Sequence, residues 1–105
     1  MARKNLFTVV SPLGYRVALS RNRWREITRY KHPALFGREE LVHRCLREPE
    51  LICASIKDPD VQLYYLTWEQ GYVCVVVGGD DPHKRFVVTA YFTKNIKKGQ
   101  ALWTK

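Results

Sequence analysis

The run Tyr72-Val73-Cys74-Val75-Val76-Val77 constrains this chain more than any other stretch. A strand with one wet face alternates apolar and polar residues. This one does not, so it must be covered on both faces and should be the central strand of a sheet. Gly71 breaks the chain before it, and Gly78-Gly79-Asp80-Asp81-Pro82 follows as the strongest turn signal in the sequence. Alternating stretches lie on either side. Glu50 to Lys57 and Val61 to Trp68 are predicted strands joined by the turn Asp58-Pro59-Asp60, and Arg85 to Thr93 is the strand after the glycine turn. In that last strand strict alternation points Phe86, Val88, Ala90 and Phe92 at the core. Arg85, Val87, Thr89, Tyr91 and Thr93 then share a face rich in hydroxyls.

Upstream the periodicity is helical. Trp24, Ile27, Thr28 and Lys31 recur at helical spacing, with Arg25, Glu26 and Arg29 opposite, and Pro33 stops the helix at about His32. Ser20 is a candidate cap, without a capping box because Arg23 stands three residues on. Leu41, Val42, Cys45 and Leu46 form the buried face of a second helix that Pro49 ends. Before both helices, Leu6 to Val10 and Tyr15 to Leu19 flank the turn Ser11-Pro12-Leu13-Gly14 as two strands or a hairpin. The tail holds Lys94, Lys97, Lys98 and Lys105 around Ile96, Leu102 and Trp103, and should fold back to cover the apolar pair Leu102-Trp103. The predicted fold is one α+β domain over residues 1–105, with two N-terminal helices packed on one face of a four-stranded, or slightly larger, antiparallel sheet.

With 105 residues and 46% hydrophobic content the chain can bury one core. Its 18 Lys and Arg against 10 acidic residues leave a formal charge of +8, and the pI is near 9.7. A polyanionic partner follows from that balance, nucleic acid first. Cys45, Cys53 and Cys74 sit in apolar segments without metal-ligand spacing, and His32, His43 and His83 are scattered. Neither a metal site nor a cofactor is expected. The longest apolar run is far short of a membrane span, and Met1-Ala2-Arg3-Lys4-Asn5 does not lead into a signal peptide's apolar segment, which points to the cytoplasm.

His32 is the natural candidate for chemistry. It ends its helix on the margin of the buried stripe, where packing can hold a side chain that still reaches solvent. The plainer role is to cap the last carbonyls of the helix, and position alone favours it. The other histidines offer less, since His43 is expected on an exposed helix face and His83 in a flexible turn.

The order of three motifs adds to this reading: Arg23-Trp24-x-x-Ile27 leading to His32-Pro33; Asp58-Pro59-Asp60-Val61 followed by Leu63-Tyr64-Tyr65; and Phe86-Val87-Val88-Thr89-Ala90-Tyr91 before Ile96-Lys97-Lys98-Gly99. From about Tyr15 to Trp103 the chain resembles the phage-associated branch of the barnase, EndoU, colicin and RelE-like nuclease fold. The resemblance implies a small metal-independent ribonuclease, often a toxin, with its site on the open face of the sheet. RNA is the implied substrate, and a cognate antitoxin or immunity protein is the second partner such a toxin would have. His32 matches the histidine ending the family's first helix, Tyr91 and Thr93 match polar positions of the last strand, and Lys57 with Tyr64 matches the basic and aromatic positions of the middle hairpin. Arg85 is a further match, and Thr89 and Lys94 join Tyr64 and Arg85 as candidate substrate contacts.

The chemistry is compatible with those residue types. Cutting RNA without a metal needs a base for the 2′-hydroxyl proton, an acid for the departing 5′-oxygen and a cation for the phosphorane. His32 can serve as base or acid, with Tyr91 or Lys57 as its partner. Each has a plain alternative: β-propensity for Tyr91 and Thr93, a solvated hairpin and a cross-strand pair for Lys57 and Tyr64. Two further functions remain open at this level. One is a basic RNA-binding or toxin–antitoxin module without catalysis, and the other a surface for an acidic protein.

Overall fold

The computed structural model describes residues 5–97 and 99–105. Among the described residues seven strands make one sheet, in the order β1-β2-β6-β5-β4-β3-β7. They are β1 (Asn5–Val10), β2 (Arg16–Ser20), β3 (Leu51–Ala54), β4 (Gln62–Trp68), β5 (Gly71–Gly78), β6 (Lys84–Thr93) and β7 (Ala101–Thr104). The uniformly apolar run is indeed the middle strand, β5. Two short helices, α1 (Arg21–Glu26) and α2 (Glu39–Arg47), lie between β2 and β3. Among the described residues no helix is long and apolar enough to cross a membrane.

The α+β class holds, but the rest of the predicted architecture needs correction. The helices are in mid-chain, after a β1–β2 hairpin, and the sheet is neither four-stranded nor purely antiparallel. Strand β2 runs parallel to β6 through Arg16–Ala18 against Lys84–Phe86. A parallel neighbour needs a long crossover, and the helices followed by β3, β4 and β5 supply it. At the other edge the tail adds β7 antiparallel to β3. Both additions are made by main-chain pairing at the sheet's margins, which leaves no periodic signature in side chains.

Ser20 caps α1 by accepting a hydrogen bond from Arg23 N at 3.0 Å. The helix then widens into a π turn over Ile27–Lys31, closed by His32 N donating to Ile27 O at 2.6 Å. Thr28 Oγ1 donates to Trp24 O at 2.9 Å, one of the ways a hydroxyl settles inside a distorted turn. At His32 the backbone leaves helical geometry, with φ −140° and ψ 73°, and a 3₁₀ turn over Pro33–Leu35 leads toward α2. Trp24, Ile27, Leu35, Leu41, Val42, Cys45 and Leu46 are buried against one face of the sheet.

The other face has a smaller apolar cluster of Leu63, Tyr65 and Cys74, bordered by Leu51, Tyr72, Val76 and Tyr91. It is not an open polar surface, because the chain between β6 and β7 passes over it. Lys97 N donates to Tyr65 Oη at 3.0 Å and Ala54 N donates to Gln100 O at 2.8 Å, which fixes both ends of that passage. Lys98, one of the four tail lysines, lies outside the described residues.

Strict alternation also fails in β6. Val76 pairs with Thr89 and Val77 with Val87, so Val88 is left over as a β-bulge. On the N-terminal side of the bulge the faces are exchanged relative to the expected pattern. Val87 is 2% exposed in the helix-side core and Phe86 is 49% exposed, while Ala90 and Phe92 keep their predicted side. Gly78, paired with Phe86, accommodates this arrangement, since a Cβ there would meet Val88 at 2.8 Å.

Candidate active site

Beyond Phe86, β6 has no β2 neighbour, and the segment from α1 to the 3₁₀ turn packs along that side of the strand. His32, at the end of the π turn, therefore lies beside the C-terminal half of β6. Its ring sits 5.6 Å from the ring of Tyr91, centroid to centroid, tilted by 37°. The Lys97 ammonium comes over the same tyrosine at 5.7 Å. An imidazole from the helical segment and a cation from the tail thus meet on one half-buried aromatic ring, contributed by the strand between them.

Beneath this ring the hydroxyls are held protonated. Burial raises the Tyr91 phenol above its ordinary value, and the neighbouring Cys74 thiol raises it further. The same burial pushes Cys74 up to about 11, partly offset by hydrogen bonds from Tyr91 and Tyr65. Tyr65 is pushed up to about 12, chiefly by burial, with the Lys97 backbone N–H acting in the opposite direction. At neutral pH Tyr91 is accordingly a hydroxyl donor and not a base.

Thr93 follows two residues on along the same face, its Oγ1 donating to Asn95 O at 3.0 Å and accepting from Asn95 N at 3.2 Å. Thr89 precedes Tyr91 on that face, and its buried Oγ1 has no hydrogen-bond partner among the described residues. Lys94 is exposed at the rim of the sheet.

Three other predicted residues stand elsewhere. Tyr64 is 0% exposed on the helix-side face, where its hydroxyl bonds both Ser11 Oγ and Tyr15 Oη at 2.6 Å. It cannot touch substrate; alternation along β4 turns Tyr65, its neighbour, toward Tyr91 instead. Arg85 is removed by the β-bulge: its guanidinium lies over the Tyr15 ring at 4.7 Å, and its Nε donates to Asp81 O at 2.8 Å. Lys57 is exposed in the loop after β3, three strands from β6, on the order of 14 Å across the sheet. Of the remaining histidines only His43 departs from expectation. His43 is half-buried edge-on to Phe7 at 4.9 Å, and the turn at His83 is tied to Asp81 Oδ1 at 2.7 Å.

Lys97, Tyr65 and Cys74 were not singled out by the sequence. Lys97 stood in the quoted tail motif, yet a contact spanning a chain reversal has no period to betray it. No three or more His, Cys, Asp or Glu side chains among the described residues form a group that could hold a metal ion. No protein-family model, curated protein or solved structure matches the chain.

Proposed function

We propose that this protein is a metal-independent endoribonuclease, toxin-like in kind, that cuts RNA by attack of the 2′-hydroxyl and leaves a 2′,3′-cyclic phosphate. The observation that carries the proposal is the seating of His32 and Lys97 on the ring of Tyr91. His32 takes the 2′-hydroxyl proton as the 2′-oxygen attacks phosphorus. Lys97 stabilises the doubly charged phosphorane, and the Tyr91 hydroxyl gives its proton to the departing 5′-oxygen. The +8 charge supports a polyanionic substrate. Three free, buried cysteines suit a reducing compartment, so the proposed setting is the cytoplasm.

The experiment is incubation of the purified chain with total RNA in EDTA, followed by analysis of fragment ends. Cyclic-phosphate ends are expected, with His32→Ala lowering the rate by about 10²–10⁴-fold and Lys97→Ala by about 10²-fold or more. Intact RNA, or a His32→Ala protein as fast as the unsubstituted chain, would refute the assignment. A module that binds RNA without cutting it, the alternative suggested by charge, would retain RNA and leave its ends unchanged.

A further inference from the structure

A groove of about 700 Å³ opens at the rim of the sheet, around the β4–β5 turn and the end of β6. Its volume falls in the range that takes a nucleotide-sized ligand. Arg38 and Lys94 supply two cations to the lining, Trp68, Tyr72 and Phe92 supply aromatic faces, and Glu69 is the acidic side chain among them. The guanidinium of exposed Arg38 lies over the half-buried Trp68 ring at 5.3 Å.

The groove is joined to the candidate active site along two tracks. His32 and Arg38 are the two ends of the short connection between the π turn and α2. Tyr91 lies near the end of β6 and Lys94 directly after it, and Thr93, which lines the groove, lies about 7 Å along the strand from Tyr91. Trp68 and Phe92 belong to the helix side of the sheet and Thr93 to the face of Tyr91, so the groove wraps the end of the sheet between the two.

We infer that this groove binds a nucleobase of single-stranded RNA next to the cleaved phosphate, stacked on the Trp68–Arg38 pair, with the adjoining phosphate on Lys94. The inference rests on the ribonuclease proposal for its substrate, and deepens it by assigning a base-binding subsite. Aromatic and guanidinium planes bind bases without demanding one sequence, and unpaired bases are the ones free to enter. Duplex RNA keeps its bases stacked and is excluded by this geometry.

The test is fluorescence anisotropy of a labelled single-stranded oligoribonucleotide in EDTA at low salt, with His32→Ala protein so that the probe persists. Trp68→Ala in that background should raise Kd by about 5- to 150-fold, the range expected for one lost base stack. Trp68→Phe should recover most of the affinity. Because Trp68 also packs against the core, Arg38→Ala and Lys94→Ala, both at exposed side chains, test the groove separately, and each should weaken binding and flatten its salt dependence. Affinity unchanged in all three substitutions overturns the subsite. Cleavage by the unsubstituted chain is scored apart: Trp68-dependent binding without cleavage retains the groove and removes the nuclease, and cleavage with Trp68-independent binding does the reverse.

Discussion

Tyr91 and Tyr64 show how much a single hydroxyl's surroundings decide. Both are strand tyrosines, yet one carries the candidate catalytic pair and the other closes a buried hydroxyl network with Ser11 and Tyr15. Tyr91→Phe keeps the ring on which His32 and Lys97 rest and should lower turnover by about 10²-fold with the protein still folded. Tyr64→Phe removes the hydroxyl that Ser11 and Tyr15 share and should cost about 1–3 kcal/mol in a denaturant titration, with RNA affinity unchanged. Were Tyr64→Phe to alter affinity at full stability, its placement in the core would be wrong. Glu50 gives a pH signature. The Thr67 hydroxyl, and then the Thr67 N–H at 2.8 Å, hold its carboxyl below the ordinary range. A depressed carboxyl contributes stability that is present above its unfolded value of about 4 and is lost as pH falls through the folded one. The melting-temperature gap between the unsubstituted chain and Glu50→Gln should therefore be widest near neutrality and close in acid; a gap that persists to about pH 2 would contradict this account.

Among the elements, β6 does the most and was the most misleading. Its apolar and polar residues alternate in sequence, but the bulge at Val88 exchanges the faces of its first half. The core therefore takes Val87, and Phe86 is left outside. Val87→Ala should cost about 1.5–3 kcal/mol, whereas Phe86→Ala should stay within about 0.5 kcal/mol; equal losses in thermal unfolding would restore the unbroken register. The first helix was more legible. Ser20, the stripe through Trp24 and Ile27, and Pro33 marked its beginning, its buried face and its end, because caps, period and proline are local devices. The π turn before His32 carries no such mark. Whether a helix admits an extra residue depends on what its last turn packs against.

For the whole molecule, the surplus of positive charge predicts a measurable property directly. RNA affinity should fall with salt in a log-log plot, by about 0.7 per phosphate contacted on a single strand, and a flat response would point to a protein partner. The alternating and helical periods, the turn residues and the apolar run from Tyr72 to Val77 were sufficient to establish the α+β class, the central strand and the faces of both helices. Those features depend on neighbours a few residues apart, and the sequence records them as spacing. The seven-stranded order, the parallel β2–β6 contact and the β7 edge were decided by main-chain pairing between distant segments. The meeting of His32, Tyr91 and Lys97 was decided in the same way, by the helical segment running along one side of β6 while the tail crosses its face. His32 and Tyr91 could be named as candidates from their residue types and positions. Lys97 could be chosen over Lys57 only once the chain reversal had brought it back over the strand, because no local pattern encodes a contact between elements that meet in space alone.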